Sequence, residues 1–168
     1  YFPMMALKVS SQALQTLVVF DEVQYISVDK PTRQSGHIAT TTGATTARTM
    51  NPTINLDGKG VGIAVLDSGI DSSQPSFSSP TGNRVVYAKD FTDDRTLTDR
   101  YGHGTHVASE IVGSSAVANG AYQGIAPGAN VISLRVLNNA GTGEARHILA
   151  ALDWVLGNAK KYNVRVVN

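Results

Sequence analysis

A nearly unbroken apolar run, Val61–Leu66, is the feature that most restricts what this 168-residue chain can fold into. A strand that is apolar at successive positions is buried on both faces, and such strands occur in parallel sheets covered by helices. Further apolar runs follow at Val85–Tyr87, Val131–Leu137 and Val164–Val167, and helical patterns lie between them at Thr105–Val112 and Ala145–Ala159. This alternation predicts an α/β fold with a parallel sheet flanked by helices.

The first thirty residues have a different pattern. Ala6–Val9 is a short extended run, and Ser10 is placed to cap the helix that follows it. A second β-rich run, Val23–Val28, ends before Pro31. The pattern predicts a β-α-β unit, which has too few strands to be stable alone and therefore needs a partner surface or further strands.

Residues Thr32–Asn55 separate these two parts and are rich in threonine, serine, glycine and alanine. Such a composition is typical of a linker. We therefore expect three segments: a small unit at 1–31, a linker at 32–55, and an α/β domain at 56–168.

Charge and composition exclude several classes of function. Lysine and arginine (14) nearly balance aspartate and glutamate (13), without a basic block that could follow a phosphate backbone, so we expect no nucleic-acid partner. Cysteine is absent, which excludes a disulfide framework and a thiolate nucleophile. No apolar run approaches the roughly 18 residues of a membrane span, and no targeting peptide is visible at the start of the chain. We therefore expect no membrane partner.

Asp67 is the first candidate for chemistry, because it directly follows the Val61–Leu66 strand. Ligands of open α/β sheets bind outside the carboxyl ends of the strands, where this carboxylate would lie. The segment Asp67-Ser68-Gly69 is also good turn chemistry, so a capping role for Asp67 stays open.

His103 is the second candidate. Gly102 and Gly104 flank it, and the helical pattern that follows places it at or just before a helix N-terminus. The positive end of the helix dipole favours a neutral imidazole that can accept a proton, although a loop histidine bonded to the backbone is the alternative. For His106 we expect a packed, structural position. A metal site formed by His103 and His106 with Asp67 or Asp99 is a third hypothesis, which the presence of Gly104 within the helical pair disfavours.

Four segments in order resemble the sequence blocks of the subtilisin-like serine proteases. They are Val65–Asp71, Gly102–Ala108, Gly124–Ala129, and Val136–Gly143 followed by Ile148–Val155. The resemblance extends over about residues 60–168, which would form the N-terminal half of such a fold. Residues from about 2 to 30 resemble, more weakly, the second half of the inhibitory propeptide of these proteases.

The resemblance implies a serine endopeptidase that hydrolyses peptide bonds, in which His103 takes the proton of a seryl nucleophile and Asp67 orients His103. The segment Gly141, Thr142 and Gly143 resembles the edge against which an extended substrate pairs, although a plain turn is the alternative. No serine after His103 lies in the family's nucleophile block. We therefore expect a fragment of a protease, inactive by itself, whose nucleophile and oxyanion-hole asparagine lie beyond Asn168.

The resemblance further implies polypeptide substrates, inhibition by the protein's own propeptide, secretion, and no cofactor. In some family members an acidic residue at the position of Ser76 binds a structural calcium ion, so the serine argues against that site here. A different class of function also stays open, in which the chain is a catalytically dead, protease-like protein that binds or inhibits a protease.

Overall fold

A computed structural model of the chain describes residues 7–23, 26, 38–50 and 53–168. The chain divides into two units, Tyr1–Gln34 and Ser35–Asn168. Among the helices within the described ranges, none is both long and apolar enough to cross a membrane.

The N-terminal unit contains helix α1 (Ser11–Leu17). Its N-cap is Ser10, whose hydroxyl accepts a hydrogen bond from the backbone N–H of Ala13 at 3.2 Å, as the sequence predicts. The strand predicted at Ala6–Val9 does not form over its described residues, Leu7–Val9, because no described segment pairs with it. Most of the second predicted strand, Val23–Val28, lies outside the described residues.

The segment predicted as a linker contains two short helices, α2 (Ile38–Thr41) and α3 (Ala44–Thr49). Threonine hydroxyls bond back to the preceding helical turn, as Thr42 Oγ1 does to the Ile38 carbonyl at 2.7 Å. Ala39 is buried, and the Arg48 guanidinium donates to the Gly124 carbonyl at 3.2 Å. Composition therefore identified a segment of low complexity, but part of this segment is helical and belongs to the larger unit.

The larger unit is built on a sheet of four parallel strands in the order β4-β5-β1-β6. Its strands are β1 (Gly62–Asp67), β4 (Val85–Asp90), β5 (Asn130–Arg135) and β6 (Val164–Val167); between β1 and β4 lies a small antiparallel pair, β2 (Ser78–Ser79) and β3 (Gly82–Asn83). Helices α4 (His103–Val112) and α5 (Ala145–Tyr162) follow β4 and β5 in the chain. The predicted α/β class with a parallel sheet is confirmed.

Side chains of β1 alternate between two apolar cores. Ile63 and Val65 pack with α4 residues on one face of the sheet, and Ala64 packs with α5 residues on the other. The two clusters of buried residues are Ile63, Val65, Ile70, Phe77, Ala108, Val112, Ala129 and Val131, and Ala64, Ile132, Leu134, Val136, Ala151 and Val155. Burial on both faces explains why the β1 sequence reads as one continuous apolar run.

Helix α5 is fixed on its side of the sheet by an aromatic cluster. Trp154 stacks on Tyr87 of β4, with ring centroids 4.6 Å apart and planes 13° from parallel. Tyr162, the last residue of α5, packs against both rings. The helix therefore extends three residues beyond the predicted end at Ala159.

Charged residues end three neighbouring strands at the same edge of the sheet. Asp67 of β1 pairs in register with Arg135 of β5, which pairs with Asp90 of β4. Strand β5 ends at Arg135, before the predicted Leu137, because the N–H groups of Val136 and Leu137 both turn to the Asp67 carbonyl, at 2.8 and 3.1 Å. This edge carries the candidate site.

Candidate active site

The structure brings Asp67 and His103 into direct contact. His103 Nδ1 lies 2.8 Å from Oδ2 and 2.9 Å from Oδ1 of Asp67. The side chain of Asp67 is 8% exposed, whereas the imidazole is 55% exposed. Among the described residues, hydrogen bonds reach only Nδ1 of this ring, so a buried carboxylate orients an imidazole whose Nε2 stays available for chemistry.

Two features of the local sequence bring the pair together. Position 67 continues the alternation of Ile63 and Val65, so its side chain points to the face of the sheet that α4 covers. Helix α4 begins at His103, and its second residue, Gly104, sits directly against the turn after β1. A Cβ at Gly104 would overlap the Gly69 carbonyl, so only glycine lets the helix approach this closely.

The hydrogen bond that His103 donates to Asp67, and the negative charge of Asp67, raise the pKa of His103 above the ordinary value of 6.5. The negative charge of Asp99 adds to the rise, and partial desolvation opposes it. The position of His103 at the start of α4 led us to expect that the helix dipole favours the neutral ring, but the net shift of the His103 pKa is in the opposite direction. A carboxylate in direct contact outweighs a helix dipole, which carries only about half a charge.

Asp99 accepts hydrogen bonds from both segments that carry the site, the turn after Asp67 and the helix start at His103. One carboxylate oxygen accepts from the Ser68 hydroxyl and the Gly102 N–H, each at 2.8 Å. The other oxygen accepts from the N–H of Thr105 at 2.9 Å and from its hydroxyl. Ser68 Oγ also accepts from the Gly104 N–H at 3.0 Å, so a continuous set of hydrogen bonds links the turn after β1 to the first turn of α4.

Asp99 performs the capping that the formal N-cap, Gly102, cannot provide with a side chain. Burial by itself raises the pKa of the Asp99 carboxyl, but the hydrogen bonds from Thr105, Gly102 and Ser68 outweigh it and lower the pKa below 3.8. Sequence reasoning treated Asp99 only as a metal ligand. The available signal was an aspartate just before a helix start with a threonine in the first turn, which is typical of N-terminal capping.

Arg135 was not predicted as a site residue, yet it bonds to the residue that directly follows Asp67. It is 1% exposed and donates five hydrogen bonds, the first from Nε to the Ser68 carbonyl at 3.0 Å. The other four acceptors lie on Asp90, Thr92, Asp94 and Asn139. Burial raises the pKa of Asp90, but hydrogen bonds from Thr92 and Thr96 and the positive charge of Arg135 outweigh it, so the pKa is lowered. The hydrogen bond from Arg135 lowers the pKa of Asp94.

The segment Gly141–Gly143 lies next to this site on an exposed stretch before α5. The Asn138 side chain accepts from the N–H and the hydroxyl of Thr142, both at 3.1 Å, and shapes the turn. Gly143 makes no hydrogen bond to any described residue. Gly141 has φ +75°, and a Cβ at this position would overlap the ring of Tyr101. The Tyr101 ring centroid is 6.5 Å from that of His103, so one side chain separates the segment from the imidazole.

The structure does not assemble the metal site of the third hypothesis. His106 is 69% exposed and points to Glu110, with Nε2 and Oε1 3.3 Å apart, so its predicted packed position is wrong. The packed face of α4 carries Gly104, Ala108 and Val112, and position 106 falls on the opposite side.

A different set of side chains offers metal-ligand atoms within 4.8 Å of one another, namely Asp93, Glu144 and His147. A cation is already present there, because the Arg146 guanidinium bonds to Asp93 at 2.6 Å and to Glu144 at 2.8 Å. Those bonds raise the pKa of Arg146 and lower that of Glu144. Ser76, at the doubted calcium position, uses its carbonyl to accept from the Ser114 N–H at 2.8 Å.

Three of the four serines that follow His103 are bonded to other groups or buried. Ser109 donates to the His106 carbonyl, Ser114 to the Pro75 carbonyl, and Ser133 is buried in β5. Within the described part of the chain, no seryl hydroxyl bonds to His103.

The structure thus places a buried aspartate that orients an exposed histidine at the carboxyl edge of a parallel α/β sheet, an arrangement suited to acid-base chemistry. The sequence profile of the subtilase family (Peptidase_S8) matches residues 58–168, which is more than half of the chain. This chain belongs to the subtilase family.

Relatives and solved structures agree with this assignment. A subtilisin of Bacillus sp. (strain TA39) is 38% identical over 115 residues, covering 66% of this chain and 26% of that protein. Subtilisin-like protease 11 of Trichophyton verrucosum (strain HKI 0517) is 29% identical over 164 residues, covering 92% and 38%. The crystal structure of a cold adapted subtilisin-like serine proteinase superposes with a TM-score of 0.51 at 37% identity, covering 64% of this chain and 36% of that one. The chain thus spans well under half the length of these relatives.

Proposed function

We propose that this chain supplies the acid and the base of a serine endopeptidase, with Asp67 and His103 as two members of an Asp-His-Ser triad. The observation that carries the proposal is the 2.8 Å contact between a carboxylate that is 8% exposed and an imidazole that is 55% exposed. The subtilase membership and the protease names of the relatives support it. The seryl nucleophile would come from a part of the protein that follows Asn168, which makes the isolated chain inactive.

In the proposed mechanism, Asp67 accepts the Nδ1–H of His103 and so leaves the Nε2 lone pair free. Nε2 takes the proton of the seryl hydroxyl as its oxygen attacks the peptide carbonyl. The resulting imidazolium is stabilised by the adjacent Asp67 carboxylate, which is the same interaction that raises the pKa of His103. His103 then gives the proton to the departing amine, and a water molecule hydrolyses the acyl-enzyme by the same exchange in reverse.

The proposal extends to substrate binding at Gly141–Gly143. The N–H and C=O of Gly143 have no partner among the described residues, and the segment is next to His103 through Tyr101. An extended peptide could therefore add as a strand at this exposed edge, with its backbone bonded to the protein's. Polypeptides are the substrate class that such backbone pairing accepts.

The N-terminal segment, residues 1–31, is proposed to act as part of an inhibitory propeptide. The 92% coverage by the fungal subtilisin-like protease extends into residues before 58, so the likeness to a protease includes this segment. Two apolar side chains that directly follow α1 are exposed, Val18 at 66% and Val19 at 76%. Exposed apolar side chains are expected in a segment that binds a partner surface. Synthesis as a secreted zymogen belongs to the same proposal.

Labelling with a fluorophosphonate probe tests the triad directly, because the probe reacts only with a serine activated by a base. The full-length protein should be labelled at one serine that follows residue 168, and the His103→Ala variant should not be labelled. His106→Ala is the matched control, since this exposed histidine lies on the outer side of the same helix.

Equal labelling of wild type and His103→Ala would contradict the proposal. Absence of labelling in the full-length protein, together with tight binding to a separate protease, would instead favour a catalytically dead binding protein.

A further inference from the structure

We propose that Arg135 is a positioning residue of this active site, whose guanidinium holds in register the three segments that carry Asp67, His103 and Gly141–Gly143. The proposal rests on the proposed function, because it assigns Arg135 a role in arranging that site. Arg135 itself touches no reacting group. It acts through the backbone and side chains to which it bonds.

The first segment is the turn after β1. Arg135 Nε donates to the carbonyl of Ser68, the residue that directly follows Asp67, at 3.0 Å. The Ser68 N–H in turn donates to Asp67 Oδ1 at 2.7 Å. The peptide group that orients the carboxylate is therefore adjacent to the carbonyl that Arg135 binds.

The second segment runs from the end of β4 toward α4. Nη1 donates to Asp90 Oδ1 at 3.2 Å and to Thr92 Oγ1 at 2.6 Å, and Nη2 donates to Asp94 Oδ2 at 2.6 Å. The chain then continues from Asp94 to Asp99 and His103. Arg135 thus fixes the start of the loop whose end carries the base.

The third segment precedes the substrate edge. Nη2 also donates to Asn139 Oδ1 at 3.0 Å, and the Asn139 N–H donates to Asp94 Oδ2 at 3.1 Å. Asn139 lies two residues before Gly141. One guanidinium therefore bonds to all three segments that the proposed site needs.

The chemistry of arginine suits this role better than that of any other side chain. Its five N–H donors point outward in one rigid plane, and each of them here has an acceptor. Buried ion pairs add little net stability compared with apolar residues of similar volume, so a fully bonded, buried guanidinium is better explained by the geometry it imposes. A lysine would keep the charge but would reach only part of the acceptor set.

The test uses the full-length protein and the Arg135→Lys variant, with two measurements. NMR titration of the His103 imidazole needs no hydrolysis: the pKa of His103 is expected to fall toward 6.5 in Arg135→Lys, because the Asp67 contact loosens. Peptide hydrolysis is expected to show kcat lowered by about 10- to 100-fold, as for small misplacements of a catalytic group, with a smaller change in KM.

Two control variants separate positioning from stability. Val131→Ala removes buried volume from the same strand without touching the three segments, so at a similar fall in melting temperature it should leave the His103 pKa and kcat within about twofold. Arg146→Lys changes the exposed arginine that binds the neighbouring Asp93 and should alter neither quantity.

An unchanged His103 pKa in Arg135→Lys, or an equal change in Val131→Ala, would overturn the inference. If wild type does not hydrolyse peptides but the His103 pKa still shifts in Arg135→Lys, the positioning role stands and only the proposed function fails. Should Arg135→Lys fail to fold, Asn139→Ala decides: a loss of about threefold or more in kcat/KM on a long peptide, with the melting temperature kept, supports the role, and no loss overturns it.

Discussion

Arg135 and Arg146 form the same number of ion pairs in very different surroundings. Each binds two acidic side chains, and the adjacent residues Asp93 and Asp94 are divided between them. The side chain of Arg135 is 1% exposed, while that of Arg146 is 58% exposed. Arg135 reaches the turn that carries the acid, whereas Arg146 connects a loop to the start of α5.

The difference shows that burial, rather than the number of ion pairs, separates the two regions. Water competes for the exposed pair partners and screens their charges, so a surface network contributes little. In the interior no water replaces a lost bond, and every unpaired group carries its full desolvation cost. We therefore expect changes in the buried region around Asp67, Asp99 and Arg135 to have large effects and changes around Arg146 to have small ones.

The largest expected effect is on catalysis by the buried acid. Asp67→Asn should lower kcat of the full-length protein by roughly 10⁴-fold, the scale known for the aspartate of serine-protease triads, because the amide no longer fixes the His103 tautomer. Steady-state hydrolysis of a peptide substrate measures it. A fall in kcat no larger than that caused by Glu110→Gln, a change at an exposed residue, would contradict the expected difference between the buried and exposed regions.

The same variant changes the pH profile in a defined direction. The Asp67 carboxylate raises the pKa of His103, so the acid limb of kcat/KM in wild type should lie above pH 6.5. Removing the charge should move that limb to lower pH, as measured by residual activity across pH. Movement to higher pH would contradict the assignment of Asp67 as the cause.

The second effect concerns stability and compares the two arginines directly. Arg135→Met should lower the free energy of unfolding by about 3–5 kcal/mol, because it leaves the buried Ser68 carbonyl and the largely buried Asp90 carboxylate without their donor. Arg146→Met should leave the denaturation midpoint within experimental error. Denaturant unfolding of both variants sharpens the comparison, and equal losses would refute it.

A third, intermediate effect is expected for Asp99. Asp99→Ala should cost about 2 kcal/mol, since it removes the cap of α4 and the partner of the Ser68 hydroxyl. Thr98→Ala is a control on the adjacent exposed position. A stability loss as large in the control would show that the loop, and not the carboxylate, is responsible.

A smaller effect is the pH dependence of stability contributed by Asp99. Its folded-state pKa is lowered, so its contribution is fully present above the ordinary value of 3.8 and is lost as the pH falls through the folded-state pKa. Wild type should therefore lose stability below about pH 4 more steeply than Asp99→Asn. Parallel slopes in acid melts would exclude Asp99 as a source of the dependence.

The smallest effect is the response of the Arg146 cluster to salt. Any stabilisation by its exposed ion pairs with Asp93 and Glu144 should be largely lost at about 1 M NaCl, where the screening length falls to roughly 3 Å, close to the length of these contacts. Thermal melts of wild type and Arg146→Met at low and high salt measure it. A difference in melting temperature between wild type and Arg146→Met that persists at high salt would show that solvent exposure does not limit the stability contributed by these ion pairs.

The elements that the sequence predicted well are those whose signal is local. The apolar run of β1 is explained by burial on both faces. The start of α1 is predicted by Ser10, whose capping hydrogen bond reaches only three residues along the chain. Predictions failed where a distant partner decides the outcome. Leu7–Val9 lacks a described strand to pair with, and His106 was assigned to the wrong side of α4 because a spacing of three from His103 does not show which face is packed.

Sequence alone determined that this chain folds into a parallel α/β sheet with an aspartate after its first strand and a histidine at a later glycine-flanked position. These follow from apolar periodicity and from glycine and capping chemistry, which act over a few residues. Only the tertiary structure decided that Asp67 and His103 touch, that Asp99 and Arg135 bond to the segments around them, and that the pKa of His103 rises. Those outcomes depend on residues 30 to 70 positions apart meeting at one sheet edge, and contacts at such separation are set by strand register and packing.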